Sequence, residues 1–247
     1  MYRLSLTLLF ILFISANAEN KRPALTVLKL KGPIILDGSL DDWQDVNFVE
    51  VNGGNGVFDG ESSKAENDKD LSYKFAVCYD QKALYVAVEV KDDKLVTDDT
   101  KAGEKAGKCW MDDTVEVFLD GNHNRASNAR DKAKKEYQFG GEFSLTANGA
   151  ATSNCTGWPK SFGDAKYWSG AVTRKQLKDG SWIVCYEYCL SWSVMGNKPL
   201  KKGSLGFTIG VQDDDDGGQR DHALYWSGKS PSCWKDESGW GDLHLQP

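Results

Sequence analysis

Apolar and polar residues alternate along most of this chain. Leu84, Val86, Val88 and Val90 are interleaved with Tyr85, Ala87 and Glu89, the period-two pattern of a strand with one face on a core. Val115, Val117 and Leu119 interleave with Thr114, Glu116 and Phe118, and Phe207, Ile209 and Val211 with Thr208, Gly210 and Gln212. Tyr137 and Phe139 flank Gln138 in the same way, and Trp182 to Trp192 is a longer β-rich run. Turn dipeptides punctuate the runs: Asp37-Gly38, Asp59-Gly60, Asn148-Gly149, Asp179-Gly180 and Gly217-Gly218. A helical reading fits only Ala126 to Lys135, short and charged, which is placed on a loop excursion. No internal repeat and no Pro- or Ser-rich linker divides the sequence. The pattern predicts an all-β, single-domain fold, an antiparallel β-sandwich of jelly-roll type.

The first residues follow another rule. Arg3 precedes an apolar run from Leu4 to Ser15, and Ala16-Asn17-Ala18 is a small-x-small cleavage signal. At about 12 residues the run is too short for the roughly 20 of a membrane span. It is read as a signal peptide over 1–18, leaving a domain over 19–247 that is secreted to the extracellular space. Thirty Lys and Arg stand against 36 Asp and Glu, a net charge of −6 that becomes −7 when Arg3 is removed. That balance argues against nucleic acid or an acidic membrane as partner. Six Cys suit an oxidising compartment. The lack of any C-x-x-C pair and the presence of only three His argue against zinc. Asn154-Cys155-Thr156 is a sequon, so Asn154 is a candidate glycosylation site.

If Val115, Val117 and Leu119 face the core, Glu116 faces away from it, and the same parity turns Gln138 and Gln212 outward. Followed back from Glu116 through Thr114 and Asp112, it reaches Trp110. An aromatic face beside planar hydrogen-bonding groups is the mixture that recognises a sugar, whose C–H surface and hydroxyls need different partners. G-x-S-x-G, H-E-x-x-H and Cys–His nucleophile patterns are all missing, so the chain reads as non-catalytic.

Several segments resemble a known family. Ile35-Leu36-Asp37-Gly38-Ser39-Leu40-Asp41-Asp42-Trp43 is similar to the opening of a family 9 carbohydrate-binding module. So are Ala83 to Asp92, Trp110 to Asp120, Tyr186 to Trp192, Gly206 to Asp213, Gly218-Gln219-Arg220 with Tyr225-Trp226-Ser227, and Trp234 with Gly241-Asp242-Leu243. They occur in family order over nearly the whole of 19–247. The resemblance implies a calcium-containing β-sandwich that binds an oligosaccharide or a polysaccharide end of β-glucan or xylan type. It further implies a separate glycoside hydrolase, or the extracellular matrix, as the setting. Trp110 and Trp234 match the two Trp that sandwich a terminal sugar, and Glu116 matches a sugar-binding carboxylate. The family's binding arginine falls at Gln138, an asparagine at Pro231 and a glutamine at Gly210, with Gln212 as a partial replacement for the last. Asp92 and Asp93 stand where the family places a calcium ligand. Asp213 to Asp216 reads as a solvated turn, since it lacks EF-hand spacing. Trp43, Trp182, Trp192, Trp226 and Trp240 are assigned to packing, while Trp158 and Trp168 stay open.

Two further expectations follow from this placement. Cys109 directly precedes Trp110 and Cys233 directly precedes Trp234, so rings facing across one site would bring the two Cys close enough for a disulfide. The alternative function is electron transfer, with haem held by Met111 and His222.

Overall fold

The computed structural model describes residues 22–105, 107–155, 161–196 and 203–246. The predicted signal peptide, Thr156 and Trp158 lie outside the described residues. Thirteen strands follow in order: β1 (Ala24–Lys29), β2 (Val49–Val51), β3 (Val57–Phe58), β4 (Leu71–Tyr79), β5 (Ala83–Asp92), β6 (Thr114–Asp120), β7 (Gly140–Thr146), β8 (Ala151–Cys155), β9 (Trp168–Gln176), β10 (Trp182–Ser191), β11 (Ser204–Asp213), β12 (His222–Tyr225) and β13 (Gly241–Leu245). Helical structure among the described residues is confined to 3-10 turns of three or four residues. None is long and apolar enough to cross a membrane.

The strands run β8-β7-β6-β11-β13-β1-β4-β5-β10-β9 in one curled sheet, whose two halves form the leaves of a sandwich. Strand β1 serves both: Ala24 to Val27 pair with β13, and Leu28 and Lys29 pair with β4. Both pairings are parallel, whereas the other strand ladders among the described residues are antiparallel. Neither β4 nor β13 follows β1 directly in the chain, so no hairpin imposes antiparallel direction on these pairings.

Between the leaves the alternation behaves as predicted. Val115, Val117, Leu119, Phe207, Ile209 and Val211 pack from one side against Phe75, Val86, Val88, Val184, Tyr186 and Tyr188 from the other. Two buried phenols cross the core to backbone carbonyls: Tyr188 donates to Val115 at 2.8 Å and Tyr73 to Ile209 at 3.0 Å. Trp168 stacks on Tyr188 with centroids 6.0 Å apart, which makes it a core residue.

The outer faces are covered as well. Every residue of β6 is buried, because a second cluster of Phe118, Ala223, Tyr225, Cys233 and Trp240 lies on its far side. Glu116 therefore points away from the main core, as parity requires, yet is not solvated. On the other leaf Trp43 is fully buried, and its indole donates to Glu187 Oε1 at 2.8 Å. The backbone N–H groups of Asp37 and Gly38 donate to Glu187 Oε2 at 3.0 and 2.8 Å. Gly38 has φ +81°, and a Cβ there would stand 2.9 Å from the Thr173 nitrogen. Only glycine fits such a turn so close to β9.

Three expectations are corrected. Residues 126–135 form turns, not a helix: the side chains of Asn128 and Asp131 accept from the backbone of Arg130 and Ala133 and compete with helical bonding. Tyr137, Gln138 and Phe139 belong to the 3-10 turn Glu136–Phe139, and Gln138 is exposed. Strand pairing starts only at Gly140, whose φ of +147° brings the backbone against Leu119 where a Cβ would lie 2.1 Å from its carbonyl oxygen. Finally, Cys109 and Cys233 are separate free thiols. Cys109 is buried beside Asp112 and Glu116, its thiol pushed up to about 12 mainly by burial. Cys233 packs on Gly228, with its N–H on Asp59 at 3.0 Å. Rings that converge do not oblige the preceding side chains to converge.

Candidate functional site

One row of residues crosses five strands on the outer face of the first leaf. Thr152 on β8 pairs with Ser144 on β7, Ser144 with Glu116 on β6, Glu116 with Gly210 on β11, and Gly210 with Tyr225 on β12. Glu116 sits in the middle, 2% exposed. Its Oε1 accepts from the Ser144 hydroxyl at 3.3 Å and its Oε2 from Gln212 Nε2 at 2.8 Å. The same amide nitrogen lies 3.1 Å from the Tyr225 hydroxyl. Burial, then the Glu142 carboxylate, push the Glu116 carboxyl up to about 8, although Arg220 and Arg130 pull the other way.

Two tryptophans meet over this row. Trp110 stands on the 3-10 turn Cys109–Met111 that leads into β6 and is 41% exposed. Trp234 is half-buried and packs on the edge of the second cluster. Trp110, Trp234, Glu116, Arg130, Glu142 and Arg220 line a cleft of about 250 Å³. Arg130 forms a salt bridge with Glu142, and its guanidinium lies 4.6 Å from the Trp234 ring centroid. Lys235 Nζ is 4.9 Å from the same centroid. A second cleft of about 630 Å³ shares Trp110, Arg130 and Glu142 and extends past Lys108, Lys132 and Asn154.

Trp110, Trp234 and Glu116 are thus brought together. Gln212 lies behind Glu116 as its hydrogen-bond donor, and Gln138 is not among the residues of either cleft. Asn154 is on β8 at the rim of the larger cleft. Arg130 and Glu142 escaped the sequence reading, and Arg220 and Tyr225, though inside family-like segments, were given no role at the site. Glu142 had a signal, since it alternates with Phe143 and Leu145 as Glu116 does with Val115 and Val117. Arg130 sits in a loop without periodicity and had none.

A separate acidic group lies at the ends of β5 and β11. Asp92, Asp113 and Asp213 bring carboxylate oxygens within 4.8 Å of one another, and Asp70, Asp213, Asp215 and His222 form an adjoining set. Asp213 is 1% exposed, and neither of its oxygens has a hydrogen-bond partner; the buried Asp93 Oδ1 is also unpaired. The turn read as solvated is therefore buried at Asp213 and Asp214. Burial and mutual repulsion push Asp213 up to about 10 and Asp92 up to about 8. Unpaired buried carboxylates are unfavourable without a cation, and an all-oxygen set fits calcium. His222 Nε2 lies 3.6 Å from Asp70 and 3.5 Å from Asp215. A ring among carboxylates does not offer the apolar wall of a haem site, so the haem reading is not favoured.

Comparison with known proteins agrees with this fold. Residues 36–247 match the family described as carbohydrate family 9 binding domain-like. Endo-1,4-beta-xylanase A of Thermotoga maritima is 26% identical over 215 residues, 87% of this chain and 17% of that protein. Exoglucanase XynX of Acetivibrio thermocellus is 26% identical over 227 residues, 91% of this chain and 17% of that protein. The chain thus spans about a sixth of the length of these relatives. A family 9 carbohydrate-binding module from Caldicellulosiruptor kristjanssonii, solved with cellotriose, superposes with a TM-score of 0.64 at 21% identity, covering 91% of this chain and 94% of that one. With its fold and nearly all of its described length matched, the chain belongs to the carbohydrate family 9 binding domain-like family.

Proposed function

We propose that this protein is a secreted, non-catalytic carbohydrate-binding protein that holds a glycan end or small saccharide of β-glucan or xylan type between Trp110 and Trp234. The observation that carries this reading is the meeting of both rings with Glu116 at one cleft. Tryptophan faces cover the C–H surface of a sugar, and a buried polar group that needs a partner selects its hydroxyls. Near neutral pH the raised Glu116 carboxyl offers both a donor and an acceptor. Gln212 and Ser144 hold that carboxyl in place. The relatives named as xylanases and the neighbours solved with cellotriose and with glucose support a neutral β-linked sugar. A role beside a separate glycoside hydrolase fits the same relatives.

Calcium is the structural cation this reading includes. Asp92, Asp113 and Asp213, with Asp93 adjoining, would supply the oxygens, and the ion would compensate the Asp213 and Asp93 oxygens that lack a hydrogen-bond partner. Calorimetric titration with glucose, xylose, cellobiose and xylo-oligosaccharides, in calcium, tests the assignment. One site per chain is expected, weakened by Trp110→Ala and by Trp234→Ala. Wild-type affinity in both variants would overturn it.

A further inference from the structure

The charges around the cleft do not match a site built for neutral sugar alone. The chain carries a net charge of −6, yet several cations border these clefts. Arg220 lines the small cleft, Lys108 and Lys132 line the large one, and Lys235 stands against Trp234. Among the described residues none of these four has a carboxylate within 4 Å, in contrast to Arg130, whose charge is matched by Glu142. Elsewhere some lysines are paired, Lys74 with Glu89 at 2.9 Å and Lys94 with Asp215 at 3.5 Å, and others such as Lys91 and Lys175 are solvated; what sets these four cations apart is that they border one cleft system. The acidic groups in the clefts are two. Glu142 is already paired with Arg130, and Glu116 is buried.

We propose that the joined clefts recognise an acidic oligosaccharide, a chain bearing a uronate, whose carboxylate is met by Arg220 or by Lys108 and Lys132 while Trp110 and Trp234 hold the sugar rings. This rests on the reading of the cleft as a sugar site and names the class of sugar it prefers. A guanidinium presents a planar fork of donors that matches a carboxylate, and the lysines lie along the path a longer chain takes beyond Trp110. The raised carboxyl of Glu116 is consistent with this, since near neutral pH it adds little negative charge against such a ligand.

The test is paired calorimetry at pH 7 with xylotriose, with xylotriose carrying one glucuronosyl branch, and with trigalacturonate, each at 20 and 300 mM NaCl. The expected result is about tenfold tighter binding of an acidic ligand than of the neutral one at low salt, shrinking to less than about threefold at high salt as screening weakens exposed charges. The branched ligand being preferred assigns the carboxylate to a side group, and trigalacturonate being preferred assigns it to the chain. In either case Arg220→Gln, or the double change Lys108→Gln with Lys132→Gln, lowers the acidic-to-neutral ratio. Equal, salt-independent binding of neutral and acidic ligands overturns the inference and leaves the sugar site standing. Binding of none of them overturns both.

Discussion

The ring of Tyr225 lies flat across Gly210, so close that a Cβ on Gly210 would stand 2.5 Å from the ring. The ring fills from β12 the space that a side chain at Gly210 would take, and its hydroxyl accepts from Gln212, which holds Glu116. Gly210→Ala is expected to displace the ring and cost about 1–3 kcal/mol by overpacking. Chemical denaturation measures this, and sugar affinity should fall with it. A variant as stable as wild type would show that the ring has room to retreat.

Trp110 and Trp234 should separate binding from stability. Trp110 is 41% exposed and its indole makes no hydrogen bond among the described residues, so Trp110→Ala should leave the unfolding free energy within about 0.5 kcal/mol. Loss of its stacking face should still weaken sugar binding by about 2 kcal/mol or more. Trp234→Ala loses binding too, but it also uncovers the second cluster and removes the ring beside Arg130, so it should destabilise by about 1 kcal/mol or more. Thermal melts run beside titrations of both variants check the contrast.

Glu116 gives the ligand-free protein a pH dependence of definite sign. Its carboxyl is pushed up from 4.5 to about 8 in the fold, so the folded chain binds that proton more tightly than the unfolded chain. The resulting stabilisation is complete below about pH 4.5 and is lost as pH rises through about 8. Glu116→Gln keeps the shape and cannot ionise. Melting temperature measured from pH 5 to 9 in calcium should therefore fall less steeply in the variant. Parallel curves would mean that Glu116 is ionised throughout.

How much of this was readable in advance depends on what a residue's environment consists of. Strand parity placed Val115, Val117 and Glu116 on the correct faces, because period two is a local property of the backbone. It failed for Gln138, where Gly140 and Gly141 delay the strand and the residues before it coil into a turn. That Trp110, Trp234 and Glu116 come together at one cleft was legible because family-like segments mark them. Arg130 was not, since a loop side chain becomes part of a site only through the distant Glu142 and Trp234 that it meets. The burial of Asp213 was hidden for a related reason. Four consecutive acidic residues look solvated until Asp92 and Asp113 are seen to converge on them.

Trp43 belongs to the first of the family-like segments, yet its task is structural. Its indole and two backbone N–H groups satisfy Glu187, a carboxylate buried on the outer face of the second leaf. Trp43→Phe retains most of the apolar volume but leaves Glu187 Oε1 without its donor, which should cost about 1–3 kcal/mol. Sugar titration should give the wild-type affinity. A loss of binding without loss of stability would place Trp43 in the site instead.

The acidic cluster yields the largest effect expected of any change in solution conditions. Asp213, with neither oxygen hydrogen-bonded and its carboxyl pushed up to about 10, is held in the charged form only at a cost unless a cation is bound. An ion that binds the folded chain alone stabilises it by about 2.7 kcal/mol at a hundred times its dissociation constant. For a domain of this size that is roughly 5–10 °C in melting temperature. Calcium should raise the melting temperature by this order and a chelator should reverse it. Asp213→Asn removes a ligand and should abolish most of the increment. In chelator, however, the variant should melt no lower than wild type, because one of the mutually repelling carboxyls has gone. Identical melting curves for the wild type in calcium and in chelator would show that the cluster holds its charges as protons rather than around an ion.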